Sequence, residues 1–179
     1  FIWMMTPQAK SVLQKVIAIN GVGNKAKNIM GGRWTKDSPF ILFKSLSITQ
    51  RGDWGEKMFE ESFGIKCQPT GIDLPELVAD VKTFTRAYER TKFSGWANLD
   101  LNPDWYFVYL IFPDEYQLYK IPGNDQCVKN PKANHRNDRE FGKIDITRVD
   151  IERFIRHGYR VDDDPTNNIK TPLENLFYY

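Results

Sequence analysis

Trp105 to Phe112 is an unbroken run of eight apolar or aromatic residues, bounded by Pro103-Asp104 and Pro113-Asp114. A strand with one wet face alternates apolar and polar side chains, whereas a short unbroken apolar run needs cover on both faces. The run therefore predicts a core strand in a layered domain. Tyr116 to Ile121 is expected to pair with it after the Pro-Asp-Glu turn, and Pro122-Gly123-Asn124 ends that hairpin. At 179 residues with 41% apolar content, the chain is long enough to bury one full core, so a single domain spanning 1–179 is expected. The expected class is α/β, a mixed central sheet flanked by helices.

The N-terminal part, about 6–32, reads as helical. Thr6 and Pro7 supply an N-cap and a first helical residue, and Ala9, Val12, Leu13, Val16 and Ile17 then recur at helical spacing. Asn20-Gly21 ends the stripe. Residues 39–50 are compatible with a short strand or a helix. A further helix is expected from Arg51 to about Phe63, closed by Gly64.

Residues 71–84 concentrate the chemistry. Ile72 and Asp73 are expected to end one strand, Leu74-Pro75-Glu76 to turn the chain, and Leu77 to Phe84 to return as a second strand. Side chains alternate along a strand, so Ala79, Val81 and Thr83 point one way while Val78, Asp80, Lys82 and Phe84 point the other. Asp80 and Lys82 then share a face, with Asp73 just across the turn. Charges in an otherwise apolar strand are expensive unless paired or bound to metal. One reading is a structural ion pair. The other is a site in which Asp73 and Asp80 hold Mg²⁺, which prefers carboxylate oxygens and keeps several waters, while Lys82 orients a water or offsets charge on a phosphate.

The run Gly71-Ile72-Asp73 followed by Asp80-Val81-Lys82 resembles the PD-(D/E)XK nuclease superfamily, with Asp73 alone representing the first half of the motif. Upstream, Arg51-Gly52-Asp53-Trp54-Gly55-Glu56 resembles the helix that commonly precedes the catalytic strands in that superfamily and can lend another acid. The stretch from Arg51 to Phe84 that holds these segments covers about a fifth of the chain. The resemblance implies a restriction endonuclease-like fold and Mg²⁺-dependent cleavage of double-stranded DNA. In it Asp73, Asp80 and Lys82 are catalytic, and Asp73, Asp80 and Glu56 are metal ligands. Among superfamily members a type II restriction endonuclease, commonly a homodimer, fits best. A structure-selective repair or junction nuclease is the alternative within enzymes, and a DNA-binding module with a degenerate site is the alternative outside them. Asp53 and Glu56 also have the spacing of a capping box, so Glu56 is open between ligand and cap, with Glu60 as substitute on the same face.

The net charge of +2 says little, but its distribution says more. Lys10, Lys15, Lys25, Lys27, Arg33, Lys36 and Lys44 face only Asp37 over the first 50 residues. Gly21-Val22-Gly23-Asn24-Lys25 resembles the hairpin of a helix-hairpin-helix motif, which grips phosphate through backbone amides. A second basic group, Arg86, Arg90 and Lys92, follows the charged strand, and a third contains Lys129, Lys132, His135, Arg136 and Arg139. Lys25, Lys27, Arg86, Arg90, Lys92 and Arg136 are the candidate DNA contacts, each also readable as part of a solvated face.

Elsewhere, Thr91 to Asp104 is expected as a loop or short helix with Trp96 exposed or half-buried, and Asp125 to Gly142 as a polar surface loop. Thr147 and Asp150 predict a helix start with Ile151, Phe154 and Ile155 on one face and Gly158 as the stop. Asp162 to Tyr179 reads as irregular. Cys67 and Cys127 lack any paired metal-ligand spacing and read as ordinary thiols. Without an apolar run long enough to span a bilayer, a soluble cytoplasmic protein is expected.

Overall fold

The computed structural model of the protein describes residues 9, 11, 12, 43, 46–85, 92–98, 101–112, 115–136 and 139–161. Its first long helix, α1, spans Ile48–Phe63. Ser47 caps it: the Ser47 hydroxyl accepts from the Gln50 amide and the Gln50 side chain accepts from the Ser47 amide, a reciprocal capping box. The helix ends where Gly64 takes a left-handed φ of 71° and its N–H bonds back to Glu60. The start lies upstream of Arg51, because Ser47-Ile48-Thr49-Gln50 carries the capping box, which was one of the two readings open for Asp53 and Glu56. Asp53 and Glu56 thus sit inside the helix.

Three strands form the first sheet, in the order β1 (Ala79–Thr85), β3 (Trp105–Ile111), β4 (Tyr116–Pro122), with β1 parallel and β4 antiparallel to β3. The apolar run is indeed the middle strand. Its odd-numbered residues Phe107, Tyr109 and Ile111 enter a core shared with α1, where Trp54, Met58 and Phe59 are fully buried. Phe59 meets Phe107 at 4.8 Å between ring centroids, and Trp54 meets Tyr109 edge-on at 5.4 Å. The even-numbered Tyr106, Val108 and Leu110 enter a second core on the opposite face.

That second core is closed by a sheet of order β2 (Phe93–Asn98), β6 (Arg139–Ile146), β5 (Val128–Arg136), all antiparallel, together with α2 (Arg148–Arg156). Phe93, Ala97, Cys127, Ile144, Ile146 and Phe154 are its buried contributions. The layers are therefore helix, sheet, sheet. The fold is mixed α/β, and among the described residues it is built from two small sheets rather than one central sheet.

Two expected loops are strands. Thr91 to Asp104 contains β2, because Phe93, Gly95 and Ala97 turn inward while Ser94 and Trp96 turn out. The segment 125–142 supplies β5 and the first half of β6, a hairpin whose ladder is irregular between Lys129 and Asn134. Both were hidden because each edge-of-core strand contributes only a few inward apolar groups. By contrast α2 begins as expected, with Thr147 and Asp150 forming a capping box and Phe154 buried; Ile155 is exposed. Ala9, Ser11 and Val12 are helical, and Ala9 and Val12 are buried, with the Ala9 carbonyl accepting from the Trp54 indole at 3.3 Å. The remainder of the expected N-terminal helix, the glycine hairpin near Lys25 and the C-terminal tail lie outside the described residues. Among the described residues no helix is long and apolar enough to cross a membrane.

The two sheets meet where Gly95 of β2 lies on Phe84 of β1. A Cβ added at Gly95 falls 1.9 Å from the Phe84 ring. Gly95→Ala is therefore expected to destabilise the protein by about 1–3 kcal/mol through overpacking. In urea unfolding, Phe84→Leu in the same chain should recover part of that loss, giving a double-mutant cycle that is not additive.

Candidate functional site

The carboxylates converge through the backbone rather than through a regular hairpin. The strand expected to end at Asp73 reduces to one antiparallel bridge between Leu74 and Ala79, and the second strand starts at Ala79 instead of Leu77. The intervening turn holds Val78 at a φ of 49°, a strained value for a β-branched residue. The Val78 carbonyl is fixed from outside, accepting from the Asp104 amide at 2.8 Å and the Trp105 amide at 3.3 Å.

In place of a strand ladder, two side chains clasp the turn. Asp73 Oδ2 accepts from the Val81 amide at 2.8 Å, and Asp80 Oδ1 accepts from the Asp73 amide at 3.1 Å. Each carboxylate is thereby oriented by the other's segment. Asp80 is buried, and its Oδ2 lies 3.3 Å from Lys82 Nζ, whose side chain is part-exposed. The expected shared face of Asp80 and Lys82 is present.

Glu56 joins them from α1. Freed from capping, its half-buried carboxylate shares a hydrogen bond with Asp73 and feels the charge of Asp80. Glu60 does not substitute, since its Oε1 accepts from the Cys67 amide at 2.9 Å. Burial pushes the Glu56 carboxyl above its ordinary pKa, against the Asp73 hydrogen bond, with Asp53 and Asp80 raising it further. Burial, then the Asp80 charge, pushes Asp73 higher still, well above the usual carboxylate range. The same crowd of carboxylates, after burial, raises the Cys67 thiol, so Cys67 is no nucleophile here. Such a site favours a proton or a cation to offset its charge.

Glu56, Asp73, Asp80 and Lys82 line a cavity of about 710 Å³ at the meeting of α1, β1 and β2, which also receives Lys143 of β6. Arg51 and Lys143 are cavity residues that the sequence did not single out. Arg51 of α1 donates from Nη1 to Thr85 Oγ1 at 3.1 Å, and burial lowers its pKa. A signal for Lys143 was its alternation with Ile144 and Asp145 on a strand, visible only once 139–146 is read as one. Of the expected DNA contacts, Lys92 lies 3.3 Å from Asp145. Arg136 lies on β5, its backbone paired with Arg139. Lys25, Lys27, Arg86 and Arg90 lie outside the described residues.

Hard oxygen donors suit Mg²⁺ in kind. Among the described residues no group of three or more His, Cys, Asp or Glu is disposed as a ready metal cage. That is compatible with an ion held by only two carboxylates and otherwise by water, the usual Mg²⁺ habit. Comparison of the chain with protein-family models, curated proteins and solved structures returned no match.

Beside the cavity, Asp145 accepts from Ser94 at 2.6 Å and from Lys92 at 3.3 Å, with Lys143 3.8 Å away. Burial pushes its pKa up, but these partners outweigh burial and hold it below the ordinary value. A carboxyl depressed by folding contributes stability that is complete above its unfolded pKa, about 3.9, and is lost as pH falls through the folded value. Urea unfolding across pH should therefore show the parent losing stability below about pH 4 relative to Asp145→Asn, which lacks that titration.

Proposed function

We propose that the protein is a Mg²⁺-dependent endonuclease that hydrolyses DNA phosphodiester bonds, built as a variant of the PD-(D/E)XK arrangement with a restriction endonuclease-like fold. The observation that carries this reading is the convergence of Glu56, Asp73, Asp80 and Lys82, drawn from a helix, a turn and a strand, in one cavity. A structural ion pair needs only Asp80 and Lys82. It gives no reason to place two further carboxyls beside them at the cost their raised pKa values record.

In this reading Asp73 and Asp80 hold the ion and Glu56 supports it through Asp73. Bound there, Mg²⁺ supplies Lewis-acid neutralisation at a phosphoryl oxygen. Lys82, positioned by Asp80, orients the attacking water and offsets negative charge developing on the phosphate. Arg51 and Lys143 add positive charge to the cavity wall, which favours a polyanion. The substrate is double-stranded DNA, and a type II restriction enzyme acting as a homodimer is the first role to test. A repair or junction nuclease is the second, favoured by the exposed Trp96 at the cavity.

Plasmid and four-way-junction DNA incubated with Mg²⁺ or EDTA separates these roles. Discrete plasmid fragments indicate a restriction enzyme, and junction-only cutting a resolving nuclease. Lys82→Ala is expected to slow cleavage at least about 100-fold, with circular dichroism unchanged. Cleavage at the parent rate by this variant refutes the site assignment. Binding without cutting by the parent leaves only a DNA-binding module.

A further inference from the structure

The outer face of the second sheet carries a row of side chains at right angles to its strands. Trp96 of β2 stands directly opposite Lys143 of β6, and Lys143 directly opposite Lys129 of β5. Directly opposed residues in an antiparallel ladder project from the same face. Ala97 and Ile144, the next residues along, are buried in the core, so the row points outward. With strands about 4.8 Å apart, it spans roughly 10 Å.

Two properties of this row call for a partner. Trp96 is 59% exposed in the middle of a strand and is the one large aromatic exposed to that degree among the described residues. Lys143 and Lys129 are like charges in directly opposed positions, an arrangement that destabilises a sheet. Asp145, 3.8 Å from Lys143, offsets this only in part, because it also holds Lys92 at 3.3 Å. An anion laid along the row would relieve the repulsion. The row also begins in the cavity, whose wall includes Trp96 and Lys143 as well as Asp73, Asp80 and Lys82.

We infer that this row is the path of an unpaired DNA strand leaving the cavity, with one base stacked on Trp96 and the adjoining phosphates against Lys143 and Lys129. The indole needs a bare base face, which a duplex hides between neighbouring pairs and an unpaired nucleotide presents. Phosphate supplies the negative charge that the two lysines lack. The inference rests on the nuclease reading and narrows its substrate to DNA that is unpaired or locally opened beside the cleaved bond.

Binding in EDTA tests the path without cleavage. Labelled oligodeoxythymidylate and a blunt duplex of equal length are titrated with the parent, Trp96→Ala, Trp96→Phe and Lys129→Glu, each first checked for an unchanged or raised melting midpoint. The expected result is about tenfold weaker oligonucleotide binding by Trp96→Ala, near-parental binding by Trp96→Phe, and duplex binding changed less than about twofold by either. Lys129→Glu should weaken oligonucleotide binding and reduce the slope of log affinity against log salt by about 0.7. The proposal is overturned if the parent does not bind the oligonucleotide, if Trp96→Ala loses nothing or loses both ligands equally, or if the salt slope is unchanged in Lys129→Glu. Parent cleavage in Mg²⁺ reports on the nuclease reading separately: a cutting enzyme with unaltered Trp96→Ala binding loses the path alone, and a non-cutting protein with the expected binding pattern loses the chemistry alone.

Discussion

Both faces of β3 must be kept from water, and the arrangement of the other described elements follows from that demand. Phe107, Tyr109 and Ile111 require α1 on one side; Tyr106, Val108 and Leu110 require the second sheet on the other. Hydrogen bonding fills the remaining two directions with β1 and β4. A strand so enclosed leaves no room for chemistry on itself. The cavity instead opens beside β1, the edge of its sheet, where α1 and β2 approach without meeting fully. Burial of the middle strand and accessibility of the site are thus two results of one layering.

Within that frame, the reciprocal bonds between Asp73 and Asp80 do two jobs. They satisfy backbone amides that a regular hairpin would have paired, and they point the remaining carboxylate oxygens at the cavity. The left-handed Val78 lies inside the same clasp, its carbonyl anchored by the amides of Asp104 and Trp105 at the entrance to β3. Strain of about 1–3 kcal/mol at such a residue persists only where its surroundings enforce it. The start of β3 therefore helps to set the position of the site turn.

Legibility followed the density of local signal. Trp105 to Phe112 and Tyr116 to Ile121 could be read because eight apolar residues, or a strand after a strong turn, leave few alternatives. Asp80 and Lys82 could be placed on one face because alternation within a strand is a local property. The start of α1 was misjudged because two capping patterns compete within ten residues, Ser47 with Gln50 and Asp53 with Glu56, and only tertiary packing of Trp54 and Phe59 decides between them. Strands β2, β5 and β6 are not legible in the sequence because their inward groups, such as Ala97 and Ile144, gain meaning only from Phe84 on β1 and Val108 on β3. Arg51 and Lys143 entered the site by the same long-range route.

Beyond the Leu74–Ala79 bridge and the Val81 amide held by Asp73, strand β1 has a neighbouring strand on one side only among the described residues. An open edge of this kind invites pairing with the edge of another molecule. Here the outermost strand carries Asp80 and Lys82 facing the cavity, and joining this edge to another sheet would draw both charges further from water at a desolvation cost. The charges gathered for the site therefore also discourage sheet-to-sheet aggregation along this edge. Replacing them with apolar residues would remove the site and expose a sticky margin in the same step.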